Sequence, residues 1–512
     1  MTETLLYGTN PATGEQLQPG YAEASDAAVN AAVAAAADAF GQTLDLPPRW
    51  PADLLDTIAD RIMALGDALL ARAESETALP RTRLTGERAR TVGQIKMFAG
   101  IVREGSWVDA VIDTADPQRA PLPKPDLRRM LRPRGPVAVF GASNFPFAFG
   151  TLGGDTASAL AAGCPVVVKG HPSHPGTSKM FADATRDAIA QLKLPAGLFS
   201  LLQGRRNELS AALVKHEKIS AVGFTGSLKA GRALFDLAAA REKPIPVFAE
   251  MGSVNPVVIL PRAIAEKGDA IAQGLAASVL LGGGQFCTKP GLVFTVGDDK
   301  GKFVATLASQ IMAQSPVTML NANLRENFAR RLADFANVAG VTTVAAAQST
   351  GHAGVSPALF TTDAATFQRS PALREEAFGP GAIVVNCTSL DEAIACIDSL
   401  AGNLTGTIHA ALSEPDAARI LRHLEQKVGR VIVNGYPTGV EVNNAIVHGG
   451  PYPATTDSAT TSVGSAAIQR WVRMTAWQDT PDNLLPPALR NANPLRIRRV
   501  VNGTSTTDPI TP

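Results

Sequence analysis

The sequence contains little cysteine: four residues in 512, at Cys164, Cys287, Cys387 and Cys396. So few cysteines exclude a scaffold held together by disulfides and indicate a reducing compartment, for which we expect the cytoplasm. The N-terminal stretch MTETLLYGTNPATGE also lacks a basic segment followed by a long apolar one. No secretion signal is therefore expected.

The sequence also has no excess of positive or negative charge. The chain has 47 lysines and arginines against 46 aspartates and glutamates, a formal net charge of +1. A chain without a net field has no general attraction for nucleic acid or for a membrane surface. The alanine-rich stretch Ala27–Phe40 is shorter than the roughly 20 residues of a membrane-spanning helix and carries Asp38. We therefore expect neither nucleic acid nor a membrane as a partner.

What the sequence does contain is a glycine-rich loop, GGGQFCTKP, at Gly282–Pro290. Cys287 lies in it, between a predicted helix at Ile264–Leu281 and a predicted strand at Gly291–Val296. Glycine lets the backbone approach closely and adopt positive φ, which exposes the sulfur and leaves N–H groups to face a ligand. Cys287 then has two interpretations. It is a nucleophilic thiolate whose own N–H binds an oxyanion, or a buried small hydrophobe, the more common role of a free cysteine.

Between Gly135 and Glu250, short apolar strands alternate with helical segments. This alternation is typical of an α/β fold with a doubly wound parallel sheet, which binds ligands at the carboxyl ends of its strands. The helices are predicted at Pro146–Ala162, at Gly176–Leu192 and from Ser227 to about Ala240. The strands are predicted at Pro136–Phe140, Pro165–Lys169, Gly197–Leu202, Ala221–Thr225 and Pro246–Glu250.

Polar residues stand at the ends of these strands: Asn144, Lys169, Ser227 and Glu250, with Gly226 directly before Ser227. Because parallel strands end at one edge of a sheet, we expect these groups to line a cofactor cleft, with Ser227 capping a helix whose N-terminus faces a phosphate. Each residue also has a plainer interpretation. Ser227 is then an ordinary N-cap, Lys169 a snorkelling side chain and Glu250 a solvated carboxylate.

A second α/β domain is predicted after Glu250. A polar and aromatic turn at Glu375–Pro380 interrupts it, and the loop Gly435–Thr461 is long enough to bind or close over a ligand. The tail Leu495–Val501 alternates apolar and basic residues and is predicted to be an edge strand with a solvated face. Further strands are predicted at Thr405–Ala410 and Arg430–Val433, and helices near Lys302–Ala313, Leu390–Leu400 and Asp416–Lys427.

The segment Asp113–Arg134 is rich in proline and carries a short run of lysine and arginine. A nucleic-acid-binding arm is one interpretation, but the run lacks interleaved aromatic residues and lies in a neutral chain. An extended, solvated arm is the simpler one. An arm that leaves its own domain is also a natural oligomerisation element.

Six motifs resemble the aldehyde dehydrogenase superfamily in order and spacing: GASNFP, VVVKGHPSHPGTS, GFTGS, AEMGS, GGGQFCTKPG and EEAFGP. They extend over nearly the whole chain and are specific only together. The resemblance implies two doubly wound parallel-sheet α/β domains and a small β bridging element for oligomerisation. The bounds it implies are 1–112 and 135–250 for the NAD(P)-binding domain, 251–465 for the catalytic domain, and 113–134 and 488–505 for the oligomerisation element. The assembly would be a homo-oligomer, either a dimer or a tetramer.

The resemblance also implies a mechanism. Cys287 would attack the aldehyde carbon, and its N–H and the Asn144 amide would hold the oxyanion. Glu250 would activate water for hydrolysis of the thioester. His448 is either an orienting group or base near Cys287, as in the fatty-aldehyde branch of the superfamily, or a hydrogen-bonded loop histidine.

For the cofactor, the resemblance implies that Lys169 holds the adenine ribose, Gly226 and Ser227 face the pyrophosphate, and Glu376 and Phe378 position the nicotinamide ribose. Many NAD-preferring members carry a glutamate three residues after the lysine. Pro172 stands there in this chain, followed by Ser173. No carboxylate repels a 2′-phosphate at this place, which favours NADP, with NAD as the alternative or in dual use. No metal is expected.

The motifs GQFCTKPG and GYPTGVEV are most similar to the branch that oxidises α-ketoglutarate semialdehyde, and NADP-dependent fatty aldehyde dehydrogenases share much of them. The expected substrate is thus a small aldehyde carrying an acid group. The alternatives are a long-chain or aromatic aldehyde and, from another class, a non-catalytic structural homologue like the lens crystallins derived from this family. Asn144, Glu250 and Cys287 argue against the last.

Overall fold

The computed structural model describes residues 4–298 and 301–511. The helices are α1 Asp26–Thr43, α2 Trp50–Ala64, α3 Gly66–Thr77, α4 Arg81–Glu104, α5 Gly154–Ala161, α6 Pro175–Gln191, α7 Asn207–Lys215, α8 Leu228–Ala239, α9 Pro261–Leu280, α10 Lys302–Met312, α11 Ala322–Ala336, α12 Ala364–Arg369, α13 Leu390–Asp398 and α14 Ala417–Glu425. The strands are β1 Leu5–Thr9, β2 Gln16–Ala22, β3 Val111–Asp113, β4 Leu127–Pro133, β5 Val137–Phe140, β6 Val166–Lys169, β7 Phe199–Leu202, β8 Ala221–Thr225, β9 Val247–Glu250, β10 Val257–Ile259, β11 Leu292–Val296, β12 Val317–Thr318, β13 Thr342–Ala345, β14 Ser349–Thr350, β15 Gly354–Val355, β16 Ala358–Asp363, β17 Gly381–Cys387, β18 Asn403–His409, β19 Val428–Val433, β20 Val472–Gln478, β21 Arg499–Val501 and β22 Thr504–Thr506.

The first sheet is parallel, with five strands in the order β7-β6-β5-β8-β9. Its strands are short and almost wholly apolar, as expected for a sheet covered by helices on both faces. The strand order reverses between β5 and β8, so that the loops after these two strands diverge and leave a crevice. All five strands lie where the sequence predicted them, within one or two residues.

The second sheet has seven strands in the order β13-β16-β17-β11-β10-β18-β19, and only the pairing of β13 with β16 is antiparallel. The predicted strands at Gly291–Val296, Thr405–Ala410 and Arg430–Val433 correspond to β11, β18 and β19. The prediction omitted β13, β16 and β17. Together the two sheets confirm the α/β class with two parallel-sheet units. The exact domain bounds stay a prediction.

A third, smaller sheet has the order β20-β4-β3-β21-β22. Here two expectations need correction. The C-terminal strand Arg499–Val501 is not an edge strand, because it pairs with β3 on one side and with β22 on the other. The edges are instead β22 and β20. Strand β20, Val472–Gln478, pairs with β4 and lies outside the predicted element.

Helix α5 is much shorter than the helix predicted at Pro146–Ala162, since it begins only at Gly154. The residues before it form turns. The Glu87 carboxylate on α4 accepts the N–H groups of Phe147 and Ala148 at 2.8 and 3.0 Å, and thereby satisfies donors that a helix would leave free at its first turn. The prediction for residues 146–153 was therefore wrong.

The remaining helices cover the sheets and carry most of the core. Helices α2, α4 and α6 pack with the first sheet around a large apolar cluster that includes Phe98, Phe147 and Phe181. Within the described ranges, none of the helices has the length and apolar character needed to cross a lipid bilayer.

Candidate active site

A cleft of about 400 Å³ opens at the carboxyl ends of β5, β8 and β9. It coincides with the reversal of strand order in the first sheet, where parallel α/β sheets bind their ligands. Most of the predicted site residues line it: Asn144, Gly226, Ser227, Glu250, Cys287, Glu376 and Phe378.

The loop that carries Cys287 is held in place by its glycines. Gly282–Gly284 have φ between 59° and 67°, a left-handed conformation that other residues rarely adopt. A Cβ on Gly284 would lie 2.3 Å from the carbonyl of Gly379, so the loop packs directly against the Glu375–Pro380 turn. Asn255 fixes the far side, because its Nδ2 donates to the carbonyl oxygen of Cys287 at 2.8 Å.

Cys287, His448 and Glu250 form a continuous array. His448 Nε2 lies 3.4 Å from Cys287 Sγ, and His448 Nδ1 lies 2.7 Å from Glu250 Oε1. The imidazole and the carboxylate are buried, whereas the cysteine is half-buried. In this order of groups the carboxylate orients the imidazole and leaves Nε2 to take the proton of the thiol.

The charges within this array favour the protonated imidazole and the ionised carboxylate. Burial alone would lower the pKa of His448, but Glu250 and Cys287 outweigh it and raise the pKa to about 10. Burial alone would likewise raise the pKa of Glu250, but His448, Arg470 and Ser462 outweigh it and lower the pKa below its usual value. An imidazolium next to the sulfur is the setting in which a cysteine reacts as a thiolate.

The two oxygens of Glu250 differ in their surroundings. Oε1 accepts hydrogen bonds from His448 and from the hydroxyl of Ser462. Oε2 has no hydrogen-bond partner within residues 4–298 and 301–511. One oxygen therefore serves the imidazole, and the other is left for a group from outside the chain.

The long loop Gly435–Thr461 closes over the strand that ends at Glu250. Glu250 forms an isolated β-bridge with Thr455, and the N–H of Met251 donates to the carbonyl of Ala454 at 2.8 Å. The loop also carries His448 itself. The sequence predicted that this loop binds or closes over a ligand. In the structure it packs over the carboxylate of Glu250.

Asn144 lies at the mouth of this array. Its side-chain Nδ2 donates to the backbone carbonyl of Gln285 at 3.0 Å, and its backbone carbonyl accepts a hydrogen bond from Arg83 Nη2 at 2.6 Å. Both contacts fix the amide beside Cys287. The N–H of Cys287 has no acceptor in the described part of the chain, so two N–H donors are available near the sulfur.

On the cofactor side of the cleft, the Ser227 hydroxyl caps α8 by accepting the N–H of Ala230. Glu376 is held near Lys289, which donates to the carbonyls of Ala377 and Gly381. Burial raises the pKa of Glu376 to about 7, against the opposing charge of Lys289. Lys289 was not among the predicted residues, although it lies only two positions after Cys287.

Lys169 and Ser173 do not line this cleft. Lys169 ends β6, and burial lowers its pKa to about 8. Ser173 lines a neighbouring cleft of about 520 Å³ together with Pro172 and Arg205, and His171 borders both clefts.

Sequence reasoning missed several residues of the site. They are Asn255, Ser462, Lys289, His171 and, on α11, Arg330 and Arg331, which line the first cleft. Lys289 was visible as a charged residue next to the cysteine loop. The others give no local signal, because their partners lie far away along the chain.

Comparisons with known proteins identify the family of this chain. The signature of the aldehyde dehydrogenase family matches residues 2–473. The chain is 49% identical over 505 residues to alpha-ketoglutaric semialdehyde dehydrogenase 2 of Azospirillum brasilense, covering 97% of this chain and 96% of the relative. It is 45% identical over 482 residues to alpha-ketoglutaric semialdehyde dehydrogenase of Acinetobacter baylyi, covering 93% and 91%. Among solved structures, gamma-glutamyl-gamma-aminobutyraldehyde dehydrogenase from Burkholderia cenocepacia has the same fold, with a TM-score of 0.80, 23% identity and 93% of each chain covered. This chain therefore belongs to the aldehyde dehydrogenase family and is an oxidoreductase acting on aldehydes.

Proposed function

We propose that this protein oxidises α-ketoglutarate semialdehyde to 2-oxoglutarate with NAD(P). The observation that carries the proposal is the Cys287–His448–Glu250 array, which opens on the cleft at the reversal of the first sheet. Support for the substrate comes from two relatives, at 49% and 45% identity, that carry the name alpha-ketoglutaric semialdehyde dehydrogenase.

The residues around the cleft suit a dinucleotide. A volume of about 400 Å³ is ordinary for a cofactor site. A capped helix N-terminus at Ser227 attracts phosphate. In this proposal Gly226 and Ser227 hold the pyrophosphate, Glu376 and Phe378 hold the nicotinamide ribose, and Lys169 and Ser173 hold the adenosine end. When bound, the nicotinamide accepts the hydride that leaves the aldehyde carbon.

The first half of the reaction depends on Cys287. Its proton passes to His448 Nε2, and the sulfur attacks the aldehyde carbon to form a thiohemiacetal. The negative oxygen that develops is bound by the N–H of Cys287 and the amide of Asn144. Loss of one such donor typically costs about 3–4 kcal/mol of transition-state stabilisation. Departure of the hydride leaves a thioester on Cys287.

The second half depends on Glu250. In this proposal its Oε2, which has no hydrogen-bond partner among the described residues, binds a water molecule and removes a proton from it. The hydroxide attacks the thioester, the acid leaves, and the Cys287 sulfur is released. Oε1 meanwhile keeps His448 oriented.

An aldehyde panel measured with NAD and NADP in parallel tests the proposal. We expect kcat/KM to be highest for α-ketoglutarate semialdehyde, above hexadecanal and benzaldehyde. A higher value for either apolar aldehyde would favour the alternative, a long-chain or aromatic aldehyde dehydrogenase. That alternative is supported by the aromatic rings of Phe145, Phe149 and Phe286, which pack on one another beside the cysteine loop. No cofactor reduction with any aldehyde would point to a non-catalytic homologue.

We further propose a cofactor preference for NADP, with NAD also accepted. The cleft that contains Pro172 and Ser173 is lined by Arg205, and none of its described lining residues is acidic. A 2′-phosphate would therefore meet no like charge there, and Lys169 lies at the end of the adjacent strand.

Pro172→Glu tests this preference. A carboxylate in a partly desolvated site repels the 2′-phosphate at a cost on the order of 1 kcal/mol or more, so the ratio of kcat/KM for NADP over NAD should fall by about tenfold. Pro172→Ala is the matched control, since it removes the proline without adding charge and should leave the ratio near that of the wild type. A strong wild-type preference for NAD, or an equal ratio in the glutamate variant, would contradict the proposal.

We also propose a homo-oligomer, a dimer or a tetramer, built on the third sheet. Strand β20 is an edge of that sheet, and Met474 in it is 70% exposed. An open edge strand with a large apolar side chain is a surface for pairing with another chain. We also propose the cytoplasm as its compartment, because the four free cysteines suit a reducing environment.

Met474→Lys should weaken this assembly, because a lysine on an edge strand opposes pairing. Sedimentation velocity should show a shift to smaller species at concentrations where the wild type stays assembled. Arg473→Lys, a change on the same strand that keeps its charge, is the control and should sediment like the wild type. A wild type that is monomeric and active at low concentration would contradict the proposed oligomer.

A further inference from the structure

Three charged side chains share one face of helix α4 beneath the cysteine loop: Arg83, Glu87 and Arg90. Two of them have partners from the chain. Glu87 accepts the N–H groups of the turn at residues 147–148, and Arg83 Nη2 donates to the carbonyl of Asn144. These two residues hold the turns around the nucleophile in place.

Arg90 differs, because it makes no hydrogen bond and no ion pair with any residue that the structure describes, and its Nη1 is buried. Another arginine whose charge acts on Cys287, Arg430, donates instead to the carbonyls of Pro437 and Gly439. The Nη1 of Arg83 is also without a partner, but it lies against the backbone of Gly282. Arg90 is thus a guanidinium near the cysteine loop that has no hydrogen-bond or ion-pair partner among the described residues.

The position of Arg90 connects it to the reacting atoms. Its Cζ lies 5.4 Å from the centre of the Phe149 ring, and that ring lies 5.9 Å from the ring of His448, which contacts the sulfur of Cys287. One aromatic ring therefore separates the guanidinium from the nucleophile and its base.

Arg90 as a whole is half-buried, but its buried Nη1 is costly to leave without a partner, since buried polar groups are nearly always hydrogen-bonded. Its planar fork of N–H donors matches a carboxylate in a two-bond, charge-assisted geometry. The proposed substrate brings a carboxylate with it. The guanidinium of Arg90 and the carboxylate of the substrate would then form hydrogen bonds with each other.

We propose that Arg90 binds the distal carboxylate of the substrate and makes the enzyme selective for aldehydes that end in an acid group. This inference rests on the proposed function, which it makes more specific. The aromatic surface of Phe149 then covers the apolar middle of the substrate, and Arg90 receives its charged end.

The length of a five-carbon semialdehyde sets how far Arg90 can lie from Cys287. Its carboxylate carbon lies four bonds from the aldehyde carbon, roughly 5 Å when extended. The bond to sulfur at one end and a hydrogen bond of about 2.9 Å at the other bring the whole span to roughly 10 Å. The contacts from Cys287 Sγ to His448, from His448 to the Phe149 ring and from that ring to Arg90 Cζ measure 3.4, 5.9 and 5.4 Å. This stepwise path is longer than the substrate, so the substrate reaches Arg90 only along a more direct line.

The surroundings of Arg90 are compatible with the binding of an anion. Burial lowers the pKa of its guanidinium, and the negative charges of Glu87, Cys287 and Glu441 oppose that effect. Of these, Glu87 uses one oxygen on the turn at residues 147–148, and Glu441 is exposed. Neither forms an ion pair with Arg90 among the described residues.

Arg90→Gln tests the inference through a ratio: kcat/KM for α-ketoglutarate semialdehyde over kcat/KM for pentanal. Loss of a buried, charge-assisted contact should lower this ratio on the order of 100-fold, chiefly through KM. Binding of 2-oxoglutarate, measured by calorimetry, should weaken in parallel. Arg81→Gln is the control, because Arg81 is on the same helix but exposed, in a surface ion pair with Asp67.

Arg90→Lys keeps the charge and the stem but loses the fork, so it should fold like the wild type and lower the ratio by less than Arg90→Gln. If Arg90→Gln does not fold, a lysine variant with an unchanged ratio would overturn the inference. The inference would also be overturned if Arg90→Gln kept the wild-type ratio of kcat/KM for α-ketoglutarate semialdehyde over pentanal. Equal kcat/KM for the two aldehydes in the wild type would instead contradict the proposed function itself.

Discussion

Replacing Cys287 with alanine is expected to abolish aldehyde oxidation. Both halves of the proposed reaction pass through bonds to this sulfur, and removal of a covalent nucleophile that acts with a base lowers kcat on the order of 10⁶-fold. Cofactor binding should remain, because Gly226, Ser227 and Glu376 contact the cleft independently of the thiol. The measurement is cofactor reduction together with equilibrium binding of NADP.

The matched control for this variant is Cys396→Ala, a change at another free cysteine, which is buried in the core around the second sheet. It should lose some stability and keep its turnover. Turnover in purified Cys287→Ala at a rate near that of the wild type would remove Cys287 from its proposed role and would return it to the other interpretation, a packing residue.

Glu250→Gln is expected to have the next largest effect. Glutamine keeps the shape but cannot take a proton from water, and loss of a general base costs about 10²–10⁴-fold. Thioester hydrolysis should become limiting, so rapid mixing should show a burst of NAD(P)H followed by slow turnover.

His448→Asn is the comparison that separates the two roles. In this variant the thiol loses its proton acceptor, so the first half of the reaction should slow and the burst should disappear. An unchanged steady-state rate in Glu250→Gln would show that another group activates the water. If the two variants had identical time courses without a burst, Glu250 would act only by orienting His448.

Much of the fold could be predicted because its signals are local. Short apolar strands between glycines and prolines, as at Val137–Phe140 and Val166–Lys169, leave little choice of structure. The apolar run Gly381–Cys387 gives a similar signal, so β17 could also have been predicted from the sequence. The turns at residues 146–153 are different. Their conformation depends on a carboxylate some 60 positions earlier, and no property of the segment itself indicates this.

The candidate site divides in the same way. Cys287, Asn144 and Glu250 could be predicted because each stands next to a strand end or a glycine-rich loop. The contact between His448 and Glu250 joins residues 198 positions apart. The lack of a hydrogen-bond partner for Arg90 Nη1 depends on all the segments that pack around it. Such features depend on packing of the whole chain, so the sequence left His448 with two interpretations.

The contacts between the closing loop and Glu250 have a consequence for the growing polypeptide. The carboxylate reaches its final surroundings only after His448, Thr455 and Ser462 have left the ribosome. At ordinary speeds of translation, Cys287 precedes Ser462 by roughly ten to thirty seconds. During that interval the thiol has no base beside it. The proposed nucleophile therefore acquires its base only when the chain is nearly finished.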